Sequence, residues 1–270
     1  MLTNVIEKRF PDGTYQLCYS SALSGAGGYR GEDQDSDREP NKEVSRRASV
    51  TRAVKTVFDI ARSNEWDLMT TFTFDPQKVD SFDYDKVTET MKKYNRRLRR
   101  SDITYIEVPE LHQSGRIHLH GVVSDPGGNL YLEPAKNFYT GELQLDDAGR
   151  PMYDICNFEF GWAKATYVDD QARSGMVVVK YIMKYMNKAL DWIPEGKKRY
   201  FASQGLQRPV ENRLLLSVED DIIDEISRKA DYRRVINAPF GPWVLLEIHP
   251  DERSRAGREK PGHRCKSKQN

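Results

Sequence analysis

The stretch "EVPELHQSGRIHLHGVV" (residues 107–123) holds three of the chain's five histidines and two glutamates. Within it "RIHLHGVV" alternates with a period of two, so His118 and His120 share one face of a strand and Ile117 and Leu119 the other. The preceding Gln113-Ser114-Gly115 suits a three-residue hairpin loop, a type I turn whose last residue is left-handed and favours glycine. Closing that loop pairs His112 with Arg116, Glu110 with His118, and Val108 with His120. Cross-strand partners share a face. One face then carries Glu110, His112, His118 and His120, and the other presents Leu111, Ile117 and Leu119 to a core. A loop of even length would slip the register by one and bring Glu107 to the histidines instead; the position of the glycine favours Glu110. Two imidazoles and one carboxylate suit a divalent metal and leave coordination positions for a substrate oxygen. A bare His-x-His pair is ordinarily strand decoration, and the carboxylate in register is what argues for metal.

Outward from the hairpin, "DLMTTFTF" (67–74) is β-branched and aromatic and stops at Asp75-Pro76, which predicts a strand. An amphipathic helix is expected over about 83–100, strands over 103–112 and 116–123, a mixed segment or insertion over 131–155, and a strand or hairpin over 156–168. A strong helix is expected over 171–190 and another over 44–63. Further on, the sequence suggests a short strand near Tyr200, a helix around 218–229 and an apolar "WVLLEI". Residues 22–43 are Gly-rich, then acidic, and read as a loop or disordered segment. No repeat is visible. The order predicts an α+β fold with a central antiparallel sheet flanked by helices.

The helix "VVVKYIMKYMNKAL" (177–190) carries the second concentration of signal. Val179, Ile182, Met183, Met186 and Leu190 form an apolar stripe, while Tyr181, Tyr185 and Lys188 recur at i, i+4, i+7 on the opposite side. Two phenols one turn apart, with Lys180, Lys184 and Lys188 around them, are placed to attack a phosphate. A phenol with a pKa of about 10 needs a nearby cation or Lewis acid to do so at neutral pH. On an exposed face the same tyrosines would have no such role.

Composition narrows the setting. Lys and Arg number 42 against 41 acidic residues, so net charge is uninformative, but "KKYNRRLRR" (92–100) and "RSRAGREKPGHRCKSK" (253–268) are local basic runs suited to a polyanion. Cys18, Cys156 and Cys265 are too scattered for a disulfide framework or zinc ribbon and fit a reducing compartment. No apolar run approaches the roughly 20 residues of a membrane span, and no signal-peptide pattern opens the chain. A soluble, cytoplasmic protein is expected.

Taken together, "TFTF" (71–74), "PELHQSGRIHLHG" (109–121) and "YIMKYMNK" (181–188) resemble the motifs of rolling-circle replication initiators, the HUH endonucleases, in particular their two-tyrosine, phage type. "YFASQGLQRP" (200–209) is similar to a segment that follows in phage-type members. The resemblance implies a ferredoxin-like HUH domain over 44–210, between an N-terminal segment (1–43, partly disordered) and a C-terminal extension with a basic tail (211–270). It implies Mg²⁺ or Mn²⁺ held by Glu110, His118 and His120, Tyr181 and Tyr185 as nucleophiles, and Lys188, with Lys184, as basic partners. The implied substrate is single-stranded origin DNA, nicked to a 5′-phosphotyrosine and a free 3′-hydroxyl, then rejoined. The implied partners are a host helicase and polymerase, in a host-cell cytoplasm if the chain is phage-encoded. "GREKPGHR" (257–264) has P-loop glycine spacing but His263 where lysine is required, so no helicase motif is read there. The competing class is a non-haem metal enzyme acting on a small molecule, which also uses two histidines and a carboxylate. That class leaves Tyr181 and Tyr185 without a role.

Overall fold

A computed structural model describes residues 2–20, 42–169, 176–189, 192–217, 220–238 and 241–249. They form two compact units, divided between Arg208 and Pro209.

The larger unit is built on an antiparallel sheet of seven strands: β3 (Leu68–Phe74), β4 (Thr104–Leu111), β5 (Ile117–Ser124), β6 (Leu132–Pro134), β7 (Met152–Ile155), β8 (Gly161–Tyr167) and β9 (Phe201–Ala202). Their spatial order is β6-β7-β8-β3-β5-β4-β9. Helices α1 (Lys42–Ser63), α2 (Tyr84–Arg100) and α3 (Met176–Ala189) complete the unit. Alternation in "TFTF" splits the strand: Phe72 and Phe74 are buried, and Thr71 and Thr73 face the other way. The rings of Phe72, Tyr94 and Phe158 pack with centroids 5.0–5.6 Å apart, Tyr94 edge to face with both phenylalanines, and join α2 to that apolar face. Helix α2 starts at Asp83, whose carboxylate accepts from the amides of Asp85 and Lys86 at 2.8 and 3.3 Å. It buries Tyr84, Val87, Met91, Tyr94 and Leu98, a heptad-like stripe that leaves the basic residues of 92–100 outward.

The predicted α+β class with a central antiparallel sheet is what the chain adopts. The mixed segment 131–155 proves to extend the sheet: β6 and β7 pair with each other, β7 pairs with β8, and bridges join Lys136 to Leu143 and Leu145 to Pro151. Leu111, expected in the core, is 43 % exposed because it ends its strand beside the turn, whereas Ile117 and Leu119 are buried as expected.

The smaller unit is a five-stranded antiparallel sheet, β10-β1-β2-β12-β11, with helix α4 (Asp220–Lys229). Strands β1 (Leu2–Arg9) and β2 (Tyr15–Ser20) come from the N-terminus; β10 (Val210–Ser217), β11 (Tyr232–Ala238) and β12 (Gly241–Ile248) come from the other end. Terminal segments expected to be separate therefore share one sheet, Leu2 opposite Ser217 and Val244 opposite Tyr19. A lone two-stranded hairpin is marginal in water, and β10 and β12 supply partners for both of its edges. Of the segment 22–43 expected as a loop, residues 22–41 lie outside the described residues, as does the basic run 253–268, while Lys42 and Glu43 open helix α1. None of the described helices is long and apolar enough to cross a membrane.

Candidate functional site

Gly115 has φ +80°, the amide of Gly115 donates to the His112 carbonyl at 2.9 Å, and the amide of His112 donates to the Arg116 carbonyl at 2.8 Å. The three-residue loop therefore closes as its glycine predicts, and Glu110 stands opposite His118 and Val108 opposite His120. Glu107 faces the other way. It is 0 % exposed, opposite Gly121, and accepts from the Asn95 side chain of α2 at 2.7 Å. A Cβ on residue 121 would stand 2.8 Å from the Ile106 carbonyl oxygen and 3.2 Å from the Glu107 Cγ, so glycine is what lets this carboxyl pack there.

Burial pushes the Glu107 carboxyl up to about 8, against the smaller opposing effect of the Asn95 hydrogen bond. The folded state then holds a proton that the unfolded chain releases near 4.5, so this group's contribution to stability is largest below pH 4.5 and declines as pH rises to about 8. Glu107→Gln, which keeps the shape without the charge, is expected to flatten that decline. Urea unfolding should find the variant stabilised over wild type by on the order of 2–4 kcal/mol more at pH 8 than at pH 5. Equal differences at the two pH values would contradict the buried protonated carboxyl.

On the opposite face Glu110 is the hub. Its Oε2 lies 2.6 Å from the Nε2 of His120, and its Oε1 accepts from the Nζ of Lys188 on α3. Burial raises the Glu110 pKa, but the Lys188 hydrogen bond and the contacts with His120 outweigh it and hold the carboxyl below its ordinary value. Burial holds His120 down at about 4, so at neutral pH its ring is neutral and donates Nε2–H to the carboxylate. The Nδ1 of His120 is then an acceptor, and the Thr71 hydroxyl is 3.1 Å away. Thr73 stands in the same relation to the Nδ1 of His118 at 3.3 Å, and burial followed by the nearby His112 lowers the His118 pKa. A threonine hydroxyl both donates and accepts, so it accommodates either imidazole tautomer. The sequence assigns no role to these two threonines, although the alternation of "TFTF" marks them as one face. His112 is exposed, stacks on His118 with ring centroids 5.1 Å apart, and has its Nδ1 3.0 Å from the Ser114 hydroxyl.

Helix α3 lies over β4 and β5. The Tyr185 ring stacks flat on His120, centroids 3.6 Å apart and planes within 5°. Lys184 and Lys188 place their ammonium groups 5.4 and 5.5 Å from the Tyr185 centroid. Tyr181 sits one turn back, 5.1 Å from Tyr185, and its hydroxyl donates to the Thr70 carbonyl at 3.0 Å. Burial, then the neighbouring Tyr185, raises the Tyr181 pKa strongly; burial, then the Glu110 charge, raises that of Tyr185.

The expectation that these tyrosines lie opposite the packing stripe is therefore corrected. Val178 and Ala189 are fully buried together with Ile182 and Met186, which turns the buried face toward Tyr181 and Tyr185. At 100° per residue the tyrosines flank that face and meet the sheet. Val179 is buried and Met183 partly so, and Leu190 lies outside the described residues.

Among the described residues no three His, Cys, Asp or Glu side chains converge as a ready metal cage. The donor chemistry of Glu110, His118 and His120 nonetheless fits a divalent cation. Both Nδ1 atoms are engaged by threonine hydroxyls, the arrangement that leaves Nε2 as the ligating atom. The Lys188 ammonium now on the carboxylate is the positive charge that a bound cation would replace.

Residues 67–190 match the model of a family described as replication-associated protein. Comparison with curated proteins and with solved structures finds no match.

Proposed function

We propose that this chain is a replication initiator that nicks and rejoins single-stranded origin DNA through a tyrosine nucleophile, in the manner of HUH endonucleases, a reading supported by the match of residues 67–190 to the replication-associated protein family. What supports the reading is the meeting of two motifs some 60 residues apart on one sheet face: Tyr185 against His120, and Lys188 on Glu110. Phosphodiester exchange needs both a metal site and a nucleophile.

Glu110, His118 and His120 would hold Mg²⁺ or Mn²⁺, which when bound supplies Lewis-acid polarisation of a phosphate oxygen. The tyrosine oxygen forms a bond to the scissile phosphorus and gives up its proton, and the bond from phosphorus to the 3′-oxygen breaks. The 3′-oxygen takes a proton and leaves as a free hydroxyl, and the 5′ side stays on the protein as a phosphotyrosine. One phosphodiester replaces another, so the reverse attack by a 3′-hydroxyl rejoins the strand with no nucleotide cofactor. Lys188 and Lys184 supply positive charge beside a phenol whose burial otherwise disfavours the phenolate. The free 3′-hydroxyl would serve a host polymerase, with a host helicase opening the duplex.

On the same sheet face, Trp162 of β8 stands opposite Thr73 of β3, two strands away from His118 of β5, and is 60 % exposed. At a strand spacing of about 4.8 Å its indole is roughly 10 Å from the histidine row, suited to stack a base beside the scissile phosphate. Trp162→Ala is expected to weaken binding of a single-stranded oligonucleotide by about tenfold or more, with Trp162→Phe retaining most of the affinity. Fluorescence anisotropy at constant salt measures this, and unchanged affinity in Trp162→Ala rejects the stacking role.

The reaction itself is tested by incubating wild type with Mn²⁺ and single-stranded origin DNA of its own replicon, then separating products under denaturing conditions. A covalent protein–DNA adduct is expected. Its absence with both strands would remove the nicking function.

A further inference from the structure

We propose a second nucleic-acid site on this protein: a basic groove between α2 and the segment 198–208 that holds a single-stranded stretch of DNA away from the reacting tyrosines. The groove has a volume of about 910 Å³. Lys92, Lys93, Arg96 and Arg99 line one wall, and Lys198, Arg199 and Arg208 line the other. Lys92, Arg96 and Arg99 follow at i, i+4, i+7, one exposed face of α2. Glu89 is the acidic residue in the lining, and Lys93 already neutralises it at 3.6 Å. By contrast Arg97, from the same basic run, turns away to Glu159 at 2.7 Å. Helical pitch thus turns Lys92, Lys93, Arg96 and Arg99 of "KKYNRRLRR" into the groove and Arg97 away from it.

The opposite wall is tied in place without ligand. The Tyr84 hydroxyl donates to the Lys198 carbonyl, Ser203 exchanges hydrogen bonds with the Tyr105 backbone at 3.0 and 3.1 Å, and Asn64 exchanges two with the Gln207 backbone at 3.0 Å each. A concave wall whose backbone is fixed before binding loses little backbone freedom on meeting a chain of phosphates. The lining also offers Tyr200 and Leu206, both partly exposed, beside the cations. Aromatic and apolar surface interleaved with positive charge suits unstacked bases rather than a closed duplex.

The α2 wall of the groove lies on the other face of the sheet from the tyrosines. Its Asn95 reaches Glu107, whereas Glu110 is met by Lys188 of α3. A strand seated here is therefore held independently of the phosphodiester under attack, and would keep a nicked strand from leaving.

The ligand class follows from the groove's own chemistry, and the site stands if the nicking reading fails. The test is binding of oligodeoxythymidine to the full chain carrying Tyr181→Phe and Tyr185→Phe, so that no chemistry intervenes. Lys92→Gln, Arg96→Gln and Arg99→Gln are then combined, all exposed helix positions where glutamine folds as well as the native residues. The triple variant is expected to lower affinity at least tenfold at about 50 mM salt and to reduce the slope of log K against log salt by about 2. Lys198→Gln with Arg208→Gln, on the other wall, should reduce the slope by about 1.4. Lys86→Gln, exposed on α2 but outside the groove, should leave the slope as in wild type. Overturning results are a slope unchanged in both groove variants, a loss from Lys86→Gln as large per charge removed, or a loss confined to duplex DNA.

Discussion

Tyr185→Phe is expected to reduce the initial yield of covalent protein–DNA adduct by at least about 10³-fold, and Tyr181→Phe by about tenfold or less. From sequence the two tyrosines look interchangeable, sharing one face of α3 a turn apart. The fold makes them unequal. Tyr181 spends its hydroxyl on the Thr70 carbonyl at 3.0 Å, and burial raises its pKa strongly, so it must break a buried hydrogen bond and lose a proton in an unfavourable setting. Tyr185 is less deeply placed, stacks on His120, and has two lysine ammonium groups within 5.5 Å of its ring centre. On the proposed mechanism Tyr185 would therefore make the first cut and Tyr181 the second. The measurement is single-turnover adduct formation on denaturing gels for both single variants and the double variant. A first cut lost in Tyr181→Phe but kept in Tyr185→Phe reverses the order. Undiminished adduct in the double variant removes both residues from the chemistry.

Glu110→Ala should lower Mn²⁺ affinity by at least about 100-fold and remove detectable adduct, while Glu107→Gln retains both. The carboxylate at 110 holds His120 through Nε2 and anchors Lys188 from the tyrosine helix, and on the proposed reading it would also contribute the oxygen of the donor set. Its removal leaves the Lys188 ammonium without that partner and His120 without an acceptor. Calorimetric Mn²⁺ titration measures the binding independently of cleavage, so a failure to bind metal can be separated from a failure of the tyrosine. Tight Mn²⁺ binding by Glu110→Ala would take this residue out of the ligand set. Loss of Mn²⁺ binding in Glu107→Gln would show that the buried carboxyl acts on the metal face, which its hydrogen bond to Asn95 opposes.

The site is legible in sequence to the extent that its geometry is local. A glycine in the third loop position is enough to fix a hairpin register, because φ near +80° costs little only for glycine, and the register fixes which glutamate meets the histidines. Thr71 and Thr73 are legible as a face but not as imidazole partners, since nothing in β3 says that β5 will lie beside it. The tyrosine helix is legible as a helix, but the direction of its tyrosines is not. Large apolar side chains dominate a periodicity, while small ones such as Ala189 reveal a close approach only once the partner helix or sheet is in place.

Sequence by itself determined the hairpin, the alternation of "TFTF", the basic face of α2 and the helical spacing of the two tyrosines, all consequences of backbone periods of 2 and 3.6 residues acting over a few positions. Only the tertiary structure decided that Tyr185 stacks on His120, that Lys188 crosses to Glu110, that Glu107 is buried as an acid, and that the N-terminal strands pair with β10 and β12. Each of these joins segments distant along the chain, and such pairings are selected by the burial of whole faces rather than by any local pattern.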